Sequence, residues 1–238
     1  MAVVNIYWSK NATAAIGPSG QNNFTNAREA EEATSSVNNT TVSNAIVSGF
    51  QRTSSRGGAA FGFKRSYWGF DFTGYTTGTI TNLAFHYKPT TTSTGTLSNR
   101  LAQFEGFGAE VSNNFSEDEW WNSISDPLVP YTNAFNSADN STATSVTLLS
   151  QATTDAKADG FLKLVLMNAT DYNNFNLAVD VNNATNWNIG SNTTGNIFLR
   201  FNYEAPGYGN AVIGVPGANI EEVIGVGGAN IVSVIGVT

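Results

Sequence analysis

The sequence predicts an all-β protein, an antiparallel β-sandwich followed by a short C-terminal β-repeat tail. Three observations carry that reading. Charged residues are only 12% of the 238, about half the usual share. Asn, Thr, Ser and Gly fill the gap, and these favour strands and tight turns over helices. Alternating apolar runs recur between such turns, and no β-α-β alternation accompanies them.

The body spans 1–205. Val3 to Trp8 is a compact apolar run suited to a first strand. Residues 17–60 read as polar and loop-rich, with a short helix near Asn26, where Asn26 and Glu29 have capping-box spacing before Ala30. RSYWGFDF is the strongest strand. Trp68, Phe70 and Phe72 share one face and Tyr67, Gly69 and Asp71 the other. After the turn TGYTTGT, Leu83, Phe85 and Tyr87 alternate with Ala84, His86 and Lys88. Ile80 is off that parity, which predicts a bulge near Thr81–Asn82.

NFSEDEWWNSI carries a helix start. Ser116 and Glu119 form a capping box, Phe115 and Trp120 have staple spacing, and three acids suit the helix dipole. A second short helix is predicted from about Leu148 to Ala158, stopped by Asp159-Gly160. FLKLVLM then reads as a buried strand. NIFLRFNYEAP is the last body strand, with Ile197, Leu199, Phe201 and Tyr203 on one face. The predicted core includes Trp68, Phe70, Phe72, Leu199 and Phe201. Strands punctuated this way, with two minor helices, point to a sandwich of jelly-roll type. Pro206 and Gly207 mark the body's end.

The tail, 206–238, repeats every eleven residues. Val212, Val223 and Val234 share a column, as do Ile213, Ile224 and Ile235; then Gly214, Gly225 and Gly236; then Val215, Val226 and Val237. Ile220 matches Ile231. Two and a half repeats are too few for an independent solenoid, and their apolar strand edges need cover. The expected assembly interface is Val212, Ile213, Val215, Ile220, Val223, Ile224, Val226, Ile231, Val234, Ile235 and Val237. Three copies winding about one axis would cover every edge, so a homotrimer is expected.

Chemistry is sparse. With no cysteine and one histidine, His86, neither thiolate chemistry nor a zinc site is expected. No G-x-S-x-G elbow occurs. His86 reads as a structural or surface histidine. Glu117/Asp118/Glu119 and Asp155/Asp159 could offer oxygens to calcium but are better explained as helix-terminal acids. GFGAE and SRGGAAFGF read as turns and bulges, not phosphate loops. No catalytic residue, cofactor or metal is expected. Trp121 and Tyr131 are candidate glycan contacts, since exposed rings stack on sugars. A net charge of −7 argues against nucleic acid and anionic membrane as partners. No run reaches the roughly 18 apolar residues of a membrane span. The start, MAVVNIYWSK, lacks the pattern of a secretory leader, and the Asn-x-Ser/Thr triplets read as composition.

Arg65-Ser66-Tyr67-Trp68-Gly69-Phe70-Asp71-Phe72-Thr73, the strand Ile80 to Tyr87 and the closing Leu199-Arg200-Phe201-Asn202-Tyr203 resemble strand motifs of jelly-roll proteins encoded by tailed phages, especially marine and cyanobacterial ones, related in style to the DNRLRE domain. Phe85 stands where that pattern has Leu. Ile220 to Val226 and Ile231 to Val237 look like the I-x-x-V-x-G-V repeats that end many phage structural proteins. The resemblance implies a non-enzymatic virion protein: capsid-decorating, or a head or tail fibre component, assembled in the host cytoplasm against the capsid or tail. A carbohydrate-binding module acting as an adhesin for host surface glycan is the alternative.

Overall fold

The computed structural model describes residues 1–16, 22–29, 35–38, 45–56, 58–90, 98–104, 128–136, 142–189, 195–207, 222–223 and 226–227. Within them lie β1 (Ala2–Tyr7), β2 (Lys10–Ile16), α1 (Phe24–Arg28), β3 (Ser35–Asn38), β4 (Ala45–Ser55) and β5 (Gly58–Asp71). Next come β6 (Thr79–Tyr87), β7 (Ser98–Gln103), β8 (Phe135–Asn136), β9 (Thr144–Thr147), α2 (Ser150–Asp159) and β10 (Phe161–Asn168). The chain continues through α3 (Ala169–Tyr172), β11 (Val181–Trp187), β12 (Phe198–Glu204), β13 (Glu222–Val223) and β14 (Val226–Gly227).

The body is an antiparallel β-sandwich of unequal sheets. The smaller sheet has the order β1-β12-β6-β9; the larger contains eight strands, with β5 at its centre. The alternation read from RSYWGFDF holds. Trp68, Phe70 and Phe72 are fully buried between the sheets with Leu199 and Phe201 of β12 and Phe85 of β6. Trp68 and Trp187 stack there at 5.9 Å between centroids. The expected irregularity near Thr81–Asn82 is a register shift between Arg200 and Asn202, and Asn82 takes a left-handed φ of 56°. The helix expected from Leu148 to Ala158 is α2, closed by Gly160 in the left-handed conformation. Its Ala152 and Ala156 are fully buried in the sandwich core.

Three expectations need correction. The stretch 17–60 is not mainly loop: it holds β3 and β4, and β4 runs eleven residues. Its Ser, Gly, Thr and Gln hid a strand that is anchored by Val47 and Phe50. The short helix near Asn26 is α1, but its cap is Asn23, whose Oδ1 accepts from the Asn26 N–H. SRGGAAFGF is not a stretch of turns and bulges: from Gly58 onward it belongs to β5. Tyr67, Phe61 and Phe63 build a second core with Phe24 and Ala27 of α1, Phe50, Val165 and Met167. FLKLVLM is therefore buried on both sides, as a continuous apolar run allows.

The register also shows that the larger sheet forks. One edge of β5 carries β2, with Ile16 opposite Phe63 and Lys10 opposite Gly69. The other edge changes partner: Gly49 of β4 sits opposite Lys64, and Leu166 of β10 opposite Ser66. Arg65 lies at the change. It is 2% exposed and pairs with Asp171 of α3, Nε to Oδ2 at 2.6 Å and Nη2 to Oδ1 at 2.7 Å. Burial pulls down its affinity for a proton, but the charge and hydrogen bonds of Asp171 outweigh this and raise its pKa. Arg28 of α1 reaches the same place, donating from Nε to the Asp171 carbonyl at 2.8 Å. Behind the fork, Ser48 Oγ donates to Asn99 Oδ1 at 2.8 Å and Asn99 Nδ2 to Thr185 Oγ1 at 3.3 Å, all buried. These hydrogen bonds tie β4, β7 and β11 together.

Candidate ligand-binding face

The outer face of the smaller sheet remains open among the described residues. Strand alternation decides its contents. Val4 and Ile6 of β1 pack on the core, so Val3, Asn5 and Tyr7 point outward. On β12, Leu199 and Phe201 are buried, so Phe198 and Arg200 point outward. Register then aligns these side chains in rows across four strands. Tyr7, Phe198, His86 and Ser145 form one row. Asn5, Arg200, Ala84 and Thr147 form the next.

The first row is a ring stack. His86 lies against Phe198 at 4.6 Å with an interplanar angle of 8°. Tyr7 meets Phe198 at 5.5 Å, tilted by 44°. The second row holds the cation. The Arg200 guanidinium carbon sits 5.3 Å from the Phe198 centroid, and Nε donates to Asn5 Oδ1 at 2.8 Å. Half-burial, and then the nearby Arg200 charge, lower the His86 pKa, so the imidazole is neutral at pH 7. Lys88 lies just beyond the end of β6. Among β1, β6, β9 and β12 the sole carboxylate is Glu204, at the far end of β12. A chain of net charge −7 thus presents an acid-poor, cationic face edged with amides and hydroxyls.

The residues singled out in the sequence fare differently. Trp121 lies outside the described residues, as do Ser116, Trp120 and the acids 117–119. Tyr131 is described, and the expectation of an exposed ring is corrected. It is 1% exposed, packed in the sandwich core, with its hydroxyl donating to Asp155 Oδ2 at 2.7 Å. Burial, that hydrogen bond and the charges of Asp155 and Asp159 raise its pKa. Asp155 also accepts from Gln151 Nε2 at 2.7 Å, so it serves the helix and the tyrosine. His86 is where the sequence put it, on an outward strand position. Its partnership with Phe198 and Arg200 was missed, because they lie over a hundred residues on. The readable signal was the outward parity of Phe198 and Arg200, opposite to Leu199 and Phe201.

Of the tail's expected interface residues, Val223 and Val226 are described. They pair with each other antiparallel, with Glu222 opposite Gly227. The remaining nine lie outside the described residues.

Two concavities among the described residues lie away from this face, on the larger sheet. A groove of about 210 Å³ runs over the small residues Ala15, Gly49, Gly62 and Ala184 beside Lys64. A cleft of about 160 Å³ lies among Gln103, Tyr131, Asp159 and Lys163. Both are smaller than the usual ~300–1,000 Å³ of small-molecule pockets. Among the described residues no group of three or more His, Asp or Glu converges to hold a metal ion. No helix there is long and apolar enough to cross a membrane. No family model and no curated protein matches the chain in sequence.

Proposed function

We propose that this chain is a non-enzymatic structural protein of a phage virion, capsid-decorating or part of a head or tail fibre. Its sandwich would be the displayed body and residues 206–238 the element through which three copies associate. The observation that carries this reading is the position of the repeat. The last body strand, β12, ends at Glu204, and the eleven-residue repeat follows only after the Pro206-Gly207 boundary. Among the described residues both body sheets are built from strands that precede this boundary, and apolar strand edges in a short repeat call for cover by another surface. The antiparallel pairing of Val223 and Val226 supports a β-type tail. Sedimentation of the full chain and of a chain cut after Gly207 tests it. A trimer that becomes a folded monomer is expected; a truncated chain that still trimerises removes the tail from that role. Mass spectrometry of purified particles tests the virion location.

The open face of the smaller sheet favours a second reading, compatible with the first: recognition of a host surface glycan. Ring edges, amides and hydroxyls laid out on a flat sheet suit an extended saccharide better than a small molecule needing enclosure.

A further inference from the structure

We propose that the outer face of the smaller sheet, centred on Arg200, binds a saccharide chain bearing carboxylates, such as a polymer of uronic acid. This deepens the glycan reading and rests on it.

The argument begins with Arg200. It is exposed, yet it does not wave freely. Asn5 Oδ1 takes its Nε proton, and Phe198 lies beneath its guanidinium. Among the described residues no acceptor meets its two terminal nitrogens. A guanidinium held by one edge presents the other as a fork, and that fork matches a carboxylate in two parallel hydrogen bonds. Holding it beforehand reduces the entropy lost on binding.

Charge selects the ligand's sign. The four strands carry one carboxylate, Glu204, at the end of β12. Lys88 stands at the rim, and the neutral His86 one row from Arg200 adds no opposing charge. On a chain of net charge −7 such a region is complementary to an anion, while the rest of the molecule repels it.

The surroundings select a saccharide over a peptide. Asn5, Ser145, Thr147 and Thr81 are exposed on the same face and offer donors and acceptors at the spacing of adjacent strands, about 4.8 Å. Sugar hydroxyls need such groups. An acidic peptide would instead seek a strand edge or an apolar pocket. The Arg200 strand, β12, is an interior strand with neighbours on both sides, and the concavities described above lie on the larger sheet. The edges of the Tyr7 and Phe198 rings supply apolar contact for sugar C–H groups.

Calorimetry on the full chain tests this with three probes: an oligogalacturonate, a neutral cello-oligosaccharide of equal length, and an oligoglutamate of equal charge. Preferred binding of the oligogalacturonate, weakened by salt, is expected. Arg200→Gln should lower its affinity roughly ten- to a hundredfold, with a cooperative thermal unfolding transition retained. Thr147→Glu, at an exposed position, should weaken it also by repulsion. Binding of the neutral oligosaccharide as tightly, or no loss in Arg200→Gln, overturns the carboxylate class while leaving glycan recognition standing. Preference for oligoglutamate overturns the saccharide. Binding of none of the three overturns this proposal and the glycan reading together.

Discussion

Arg65 and Asp171 form a two-pronged ion pair across 106 residues of sequence, 2% and 1% exposed. The pair joins the point where the larger sheet forks to the short helix α3. Arg65 Nη2 also donates to the Arg28 carbonyl at 3.1 Å, so α1 is held by the same guanidinium. One carboxylate thus organises the layer that covers the second core.

Asp171→Ala should cost about 3–5 kcal/mol, because the buried Arg65 charge loses its partner. Replacing both members, Arg65→Met with Asp171→Leu, should recover much of that loss. Urea unfolding of the two variants checks this. A single mutant as stable as the parent would mean that water or another acceptor reaches Arg65.

The buried amide at the fork makes a second prediction. Asn99→Leu leaves the Ser48 and Thr185 hydroxyls without the partner they share. A loss of roughly 1–3 kcal/mol is expected for each buried group left unpaired. Thr185→Val alone should cost less, since the Ser48–Asn99 bond survives. Thermal melts of both variants give the ranking.

Gly78 sits in the turn before β6 with φ at +75°, and an added Cβ would meet the Glu204 carbonyl. Lys157 Nζ donates to the Gly78 carbonyl at 2.7 Å. Gly78→Ala combines left-handed strain with a backbone clash, so a cost of about 1–3 kcal/mol is expected. Gly160, also left-handed but with only ordinary contacts nearby, should tolerate Asn at a cost below that of Gly78→Ala. Unfolding midpoints compare the two positions.

His86 gives stability a pH dependence of known sign. Its folded-state pKa lies below the ordinary 6.5, lowered by burial and by Arg200. The unfolded chain therefore takes up the proton first. The contribution is whole above pH ~6.5 and fades as pH falls through the lower folded value. His86→Gln should flatten the stability-versus-pH curve below pH ~6.5; Arg200→Gln should shift His86 titration upward. Proton-resolved NMR titration of the imidazole checks both.

The sandwich was legible where one face of a strand was apolar and the other was not. Trp68, Phe70 and Phe72 announced β5, and Leu199 and Phe201 announced β12. Gly160 after a short helical run marked the end of α2. Legibility failed where burial is two-sided or supported by distant residues. Tyr67 looked like the off-face of a strand and Phe63 like part of a turn, because their cover, Phe24 and Ala27, lies on a five-residue helix with no periodic signal. In β4, Gly49 and Ser48 carry little strand propensity; pairing with β5 and β11 supplies what their side chains do not. Tyr131 misled because prolines around it suggested a surface loop, whereas Asp155, a helix turn away from solvent acids, draws its hydroxyl inward. The row of Tyr7, Phe198 and His86 depends on register between strands far apart in sequence, which no local pattern reveals.

The pairing of β1 with β12, sealed by the Arg200–Asn5 hydrogen bond across 195 residues, also sets a timetable for biosynthesis. On the ribosome β1 emerges long before β12 and waits, its apolar Val4 and Ile6 uncovered, until β12 is made. The smaller sheet cannot close before then, because β12 is the strand that joins β1 to β6. Such long-range closure is slow and leaves nascent chains open to wrong partners. A self-associating segment translated before β12 would bring neighbouring chains together while their sheets were still incomplete. The repeat lies beyond β12 in the sequence, so it is translated only after the strand that closes the smaller sheet.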